Sequence, residues 1–396
     1  MIFQTLDEKE QCIGIYTDGK IYFNDFPDML THTWRYSGSL KDKDVEYAWL
    51  YTDGAPIEDI CPKELKTELS SMLRKMTAYK KSFTVAKINL MEHCFFDLIP
   101  HDFLVKFCEI KNQITQHVFD TIEKPPHYDH LRGCQQLLHK IKYQNLNVSS
   151  EECKNLFLSS TQRYEAKKIL SGPHNIDYNL FGTVTGRLAS HPSSFPILTM
   201  KKELRQLVKP HNDWFLSLDY NGAEARTLLA LSDQPQPAED IHQWNIENVF
   251  HKQESLHREE AKTLFFAWLY NPDSSVISTT YYDRQKVLDK YYDGDYINTV
   301  FGRTIKVNSW KALNYLIQST TADLVLDRAV AIDKFLEGKR SFISHIVHDE
   351  IVVDFADEDR SIVKEIKEMF ARNRLDNFMV NVNAGKTYFD LEMLRL

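Results

Sequence analysis

Asp219 closes an apolar run, FLSLD (215–219), and Asp349 lies inside another, IVHDEIVVDF (346–355), between His348 and Glu350. A carboxylate at the end of a buried strand has a rigid support and opens onto a cleft. Hard divalent cations take oxygen ligands of this kind. Each acid alone has a plainer explanation. HDE between β-branched runs reads as a hairpin turn. Asp219, just before Asn221-Gly222, reads as a cap where a strand gives way to a helix.

A third stretch, SLHREEAKTLFFAWLYNP (255–272), has helical spacing. At roughly 100° per residue, Ala261, Leu264, Phe265 and Trp268 share one apolar face. Arg258, Lys262, Phe266 and Tyr270, spaced by four, form a second stripe pointing away from it. Two cations one turn apart suit a polyphosphate, and aromatics farther along suit a sugar and base. The plainer reading is a wide amphipathic helix ended by Asn271-Pro272.

The elements that must position these residues are spread along 396 residues, a length that implies two or more subdomains. Residues 1–60 read as β-rich. CIGIYTDGKIYF (12–23) is a hairpin turning at Asp18-Gly19, and EYAWLYTDG (46–54) repeats the strand and turn pattern. A helix is expected over 62–80, then a strand over 82–88, SFTVAKI. Residues 100–170 read as helices broken at 123–129 and ending near Ser171-Gly172-Pro173. Strands and helices alternate from 183 onward.

Apolar content of 43% and charged content of 26% are those of an ordinary globular protein. The start lacks the basic and apolar segments of a signal peptide, and no apolar run is long enough for a membrane span. Six irregularly spaced cysteines imply neither a disulfide framework nor a zinc site. A reducing, intracellular (cytoplasmic) location is expected. The net charge of −8 excludes an indiscriminate nucleic-acid coat. Residues 105–170 nevertheless carry ten Lys/Arg against seven Asp/Glu, a locally basic stretch.

In order, the strand with Asp219, the Arg-x3-Lys-x3-Phe-x3-Tyr helix and the His-Asp-Glu turn closely resemble motifs A, B and C of family A DNA polymerases. This is the family of bacterial DNA polymerase I and its phage relatives. TVTGRLAS (183–190), DIHQWNIENVF (240–250), YINTVFGRTIKV (296–307) and ALNYLIQSTTADLV (312–325) resemble further segments of the family. The resemblance covers 183–396.

It implies an α+β, right-hand polymerase fold. The palm, an antiparallel sheet, would comprise 183–240 and 296–396, the reduced fingers 241–295 and the helical thumb 101–182. Residues 1–100 would be a small α/β domain, a degenerate relic of an exonuclease domain. The implied activity is addition of deoxynucleotides to a primer 3′-hydroxyl, using two Mg²⁺ ions (or Mn²⁺). Asp219, Asp349 and the carbonyl of Tyr220 would hold the metals, with Glu350 as an accessory carboxylate. Arg258, Lys262 and His242 would meet the triphosphate, Lys262 also helping to neutralise developing charge. Phe266 would meet the sugar and Tyr270 the insertion site. Glu224 would close the space needed by a ribose 2′-hydroxyl. Arg187, Gln318 and His348 would touch the minor-groove side of the primer end, and Asn314 the template or minor groove. Lys140, Lys142, Lys167 and Lys168 would grip the duplex backbone.

The expected partners are primer-template DNA, dNTPs and a separate exonuclease or processivity subunit, with no membrane. Small size suggests a phage-type replication or repair enzyme. Twenty-five residues separate Tyr270 from Tyr296, roughly half the family's span, and Asn271 replaces its usual Gly. The first hundred residues hold a single D-x-E, Asp44-Val45-Glu46, without clear partners, so no proofreading activity is expected. A single-subunit RNA polymerase shares the palm layout, but Glu224 and the complete His-Asp-Glu argue against it. A catalytically dead accessory protein is disfavoured because both aspartates are present.

Overall fold

The computed structural model describes residues 1–396 except 10–11, 24, 91–92, 152–158, 251–255, 272, 275–276, 278–279 and 396, and except the side chains of 7–9 and 12–13. The chain divides into two units, Met1–Gln136 and Leu137–Leu396. The division falls inside the stretch 101–182.

In the first unit, β1 (Gln4–Lys9), β2 (Cys12–Thr17) and β3 (Lys20–Phe23) form an antiparallel sheet. The β2–β3 hairpin turns at Asp18 and Gly19, both with positive φ (47° and 75°). That is the geometry Asp-Gly favours in a two-residue hairpin. A parallel bridge joins Ile2 to His32, and β4 (His32–Thr33) pairs in parallel with β5 (Glu46–Tyr47). Strand character ends there, because α1 (Ala48–Tyr51) is a single helical turn packed with Trp49 N–H donating to the Trp34 carbonyl. The expected strand over 46–54 is thus mostly helix and turn.

After α2 (Ile57–Ile60), α3 runs from Lys66 to Val85. The strand expected at 82–88 is therefore the end of this helix. Leu69, Met72, Met76 and Phe83 recur on one buried face, and that helical period overrides the local β preference of Thr84-Val85. α4 (His101–Thr121) and α5 (Tyr128–Lys142) flank the Pro125-Pro126 break. Cys61, Cys108 and Cys134 are buried free thiols, and Cys94 is disulfide-bonded.

The second unit begins with β6 (Asn147–Val148), α6 (Ser160–Ser171), β7 (Tyr178–Asn179), β8 (Ala189–Ser190) and β9 (Val208–Lys209). β10 (Trp214–Tyr220) then leads into α7 (Ala223–Leu231), α8 (Ile241–Asn248), α9 (Arg258–Tyr270) and α10 (Arg284–Tyr291). The hairpin of β11 (Tyr296–Asn298) and β12 (Thr304–Lys306) precedes the long α11 (Ser309–Phe335). β13 (Phe342–Val347), β14 (Glu350–Phe355), α12 (Val363–Ala371), β15 (Val380–Gly385) and β16 (Glu392–Met393) complete it.

The main sheet has the order β13-β14-β10-β15-β16, antiparallel throughout. β10 is central, and all its residues are buried except Asp219. A strand covered on both faces reads as a continuous apolar run, which is why 214–218 shows no alternation. α7 to α11 and the β11–β12 hairpin share a second core around Leu228, Phe265, Trp268, Tyr282 and Leu316. Arg303, from the hairpin, clamps Asp323 of α11 through Nε and Nη2 at 3.1 and 2.7 Å, both side chains buried. The fold is α+β.

Candidate active site

Asp219 is the penultimate residue of β10, paired with Glu350 on one side and Asn381 on the other. β13 and β14 are joined by the two-residue turn His348-Asp349, with Val347 opposite Glu350. His348 occupies the left-handed region, φ 56°, at a place where such a turn favours glycine. The hairpin reading of HDE therefore describes the backbone correctly. The sheet order is what sets its two acids beside Asp219.

Burial pushes the Asp219 carboxyl up to about 7, and the charges of Asp349 and Glu350 push it the same way. A buried acid crowded by two others has much to gain from a cation. Asp219, Asp349 and the Tyr220 carbonyl are hard oxygen donors, so this corner fits Mg²⁺ or Mn²⁺. Glu350 is already occupied. Ser217 Oγ donates to one of its oxygens at 2.6 Å and the Tyr388 hydroxyl to the other at 2.8 Å. Among the described residues, no group of three or more His, Cys, Asp and Glu side chains is arranged as a metal cluster.

A cleft of about 540 Å³ opens here. The sheet gives it Asp219, Tyr220, His348 and Asp349, while α7 and α8 give Glu224 and His242. α9 contributes Arg258, Lys262, Phe266 and Tyr270, and Arg187 enters from the loop between β7 and β8. The start of α7 requires Gly222, whose φ is 66°. A Cβ at Gly222 would also meet Ile241 Cγ2 at 2.3 Å. α9 is oriented as its periodicity predicts. Ala261, Phe265 and Trp268 are buried, Leu264 is half-buried, and the stripe from Arg258 to Tyr270 faces the cleft. The helix ends at Tyr270 with Asn271 as its C-cap, and Pro272 lies outside the described residues.

Glu224 is buried and held at both oxygens, by Arg187 Nη2 and by the Tyr270 hydroxyl. Burial, then the Glu224 charge, raises the Tyr270 phenol to about 12, so it stays a donor. Phe266 and Tyr270 stack with centroids 5.8 Å apart. Burial lowers His242 to about 4, so it is neutral near pH 7.

Arg258 makes a forked contact with Asp240, at 3.1 Å from Nε to each oxygen and 2.8 Å from Nη2. Burial alone would raise Asp240, but the hydrogen bonds from Arg258 and Asn221 hold it well below the usual carboxylate range. Arg226 is fully buried and donates to the carbonyls of Asn221, Pro237 and Glu239 at 2.7 to 2.8 Å. It fixes the loop that carries Asp240.

Gln318 lies beside this cluster, its Oε1 accepting from Thr185 at 3.5 Å. Asn314 is one turn earlier on α11, with its Oδ1 buried and unpartnered among the described residues. The expected backbone-gripping lysines lie elsewhere. Lys140 is paired with Asp333 at 2.5 Å and Lys142 with Asp177 at 3.1 Å, whereas Lys167 and Lys168 are exposed on α6. In the first unit, Glu46 is bound by Lys124 at 2.7 Å and by the Tyr51 hydroxyl at 2.6 Å, and Asp44 faces Arg132 at 3.5 Å.

Sequence reasoning missed Asp240, Asn221, Ser217 and Tyr388. Asp240 had a signal, as an Asp preceding an apolar helix is a cap, and it does accept from the His242 and Gln243 amides. Tyr388 had none, because its partner is set by the sheet.

No protein-family model matches the chain. Over 237 residues it is 25% identical to DNA polymerase I of Aquifex aeolicus, covering 48% of this chain and 41% of that one. Over 245 residues it is 26% identical to the thermostable DNA polymerase I of Thermus aquaticus, covering 48% of this chain and 29% of that one. The chain thus spans less than half the length of either relative. Its fold is like that of the POL domain of Pol1 from M. smegmatis, solved in complex with DNA primer-template and dNTP. The TM-score is 0.52 at 14% identity, over 73% of this chain and 76% of that one. In sequence over part of its length, and in fold, the chain is thus similar to bacterial DNA polymerase I and to a polymerase domain.

Proposed function

We propose that the protein is a template-directed DNA polymerase, extending a primer 3′-hydroxyl with deoxynucleotides. The observation that carries this reading is the single cleft. It gathers Asp219 from β10, Asp349 from the β13–β14 turn, the cationic and aromatic stripe of α9 and the buried Glu224 of α7. In this reading the five-stranded sheet is the palm, 241–295 the reduced fingers and 101–182 the thumb.

Asp219, Asp349 and the Tyr220 carbonyl would hold two Mg²⁺ ions, which when bound supply charge neutralisation at the attacking and leaving oxygens. Arg258 and Lys262 bind the triphosphate and spread the charge that develops on it. Arg258 leaves Asp240 or shares it, so Asp240 keeps the guanidinium aimed before substrate arrives. His242, neutral, donates or accepts beside the phosphates. Phe266 packs against the sugar. Glu224, locked by Arg187 and Tyr270, fills the volume a 2′-hydroxyl would take. Glu350 is held away by Ser217 and Tyr388 and contributes charge to the Asp219 corner. The reading includes no 3′–5′ proofreading, since Glu46 of the D-x-E in the first hundred residues is spent on Lys124 and the Tyr51 hydroxyl.

The test is primer extension with dNTPs and Mg²⁺, with a mismatched primer end as the exonuclease control. Templated extension without removal of the mismatch is expected. Failure to extend any primer refutes the reading.

A further inference from the structure

Trp310 stands in the first turn of α11 with 60% of its surface exposed. Among the described residues, its ring stacks on nothing and its indole N–H donates to nothing. A lone exposed side chain of this kind means little, but Trp310 has exposed Tyr296 on the hairpin that leads into α11.

The position of Trp310 gives it a use. Trp310, Asn314, Gln318 and Thr321 fall on one face of α11, and eleven residues bring the helix back to within about 20°. Thr321 lines the cleft and Gln318 sits beside Thr185. Trp310 is then about 16 Å from Thr321 along the same line. In the polymerase reading, on which this inference rests, the stripe passes from the primer side at Gln318 to the template side at Asn314. Trp310 is the next residue outward.

The surroundings are cationic and aromatic. Lys306 pairs with Tyr296 across the β11–β12 hairpin, its Nζ 5.9 Å from the ring centre, and Tyr296 is itself 38% exposed. Lys311 follows Trp310 and lies over Tyr315 at 6.0 Å. Lys306 and Lys311 are both exposed. Asp293, just before that hairpin, spends its carboxylate on the amides of Asp295 and Tyr296 at 3.0 and 2.7 Å. Exposed aromatics interleaved with lysines are what a single strand needs, since every base has a face to stack and every phosphate a charge to meet. The patch directly follows the shortened segment between Tyr270 and Tyr296, which leaves little chain for guiding the template.

We propose that Trp310, with Tyr296, Lys306 and Lys311, is a stacking platform for an unpaired base of the template strand ahead of the duplex. The platform replaces template handling that the short segment before it lacks.

The test compares binding of two fluorescent DNA probes by the full chain at one fixed salt concentration. One probe is a blunt primer-template duplex, and the other is the same duplex with a single-stranded 5′ template extension. Trp310→Ala is expected to weaken binding to the overhang probe about tenfold while leaving the blunt duplex within about twofold. Trp310→Phe, which keeps a stacking face, is expected to retain most of the overhang affinity. Equal loss on both probes makes Trp310 a duplex contact, and no loss on either makes it an idle surface residue; each overturns the platform. Primer extension by the parent is scored separately. A parent that extends while Trp310→Ala binds the overhang normally refutes the platform alone. A parent that never extends, with the overhang-specific loss present, refutes the polymerase reading and leaves the platform standing.

Discussion

The Tyr270 hydroxyl donates to Glu224 Oε2 at 2.8 Å, tying the end of α9 to the start of α7. With Arg187 on the other oxygen, the carboxylate is pinned inside the cleft and cannot swing aside for a larger sugar. Glu224→Ala should therefore admit ribonucleotides. The expected fall in deoxy-over-ribo selectivity is at least tenfold, or about 1.4 kcal/mol of discrimination. Competitive incorporation measures it, and a variant as selective as the parent refutes the gate. Tyr270→Phe, which loses only one of the two ties, should relax selectivity less.

Phe266 stacks on Tyr270 and lines the cleft with a ring that carries no hydroxyl. A residue placed against the sugar without a hydroxyl should discriminate against dideoxynucleotides. Phe266→Tyr should reduce that discrimination, read as the ratio of deoxy to dideoxy incorporation. An unchanged ratio would mean that Phe266 does not face the 3′ position.

Arg258 is aimed by its forked contact with Asp240. Arg258→Ala should raise the KM for the incoming nucleotide by about tenfold, the size of one charge-assisted contact of roughly 1.5 kcal/mol. Affinity for primer-template should stay level. A loss confined to DNA affinity would move Arg258 out of the nucleotide site.

His345 on β13 is fully buried, facing Ser344, Arg205, Phe215 and Tyr388, and burial lowers it to about 3. The unfolded chain takes up that proton near pH 6.5. Between these values the unfolded state binds more protons, so this contribution is complete above about pH 6.5 and lost as pH falls toward 3. Urea unfolding at pH 7 and pH 4.5 should show a smaller acid-side loss for His345→Gln than for the parent. Equal losses would assign the acid sensitivity elsewhere.

Much of the second unit was legible because its signals are local. The helical stripe on α9, the carboxylate closing β10 and the HDE turn each follow from a few neighbouring residues. What pairs with what was not legible. Asp219 and Asp349 are 130 residues apart, and only the β14-β10-β15 order brings them together. Glu350 illustrates the same limit. Its type and place were readable, whereas its capture by Ser217 and Tyr388 depends on strand register and on a residue beyond β15. In the first unit, Thr84-Val85 and the run at 48–51 carried β preference, and tertiary packing made both helical.

The central claim is that Asp219 and Asp349 form the metal-holding pair of a polymerase. The most direct test is single-turnover primer extension by the parent, Asp219→Asn and Asp349→Asn, with primer-template affinity measured on the same samples. The account predicts that either substitution slows extension at least a hundredfold and leaves DNA affinity largely intact. Extension at the parent's rate by either variant would contradict it.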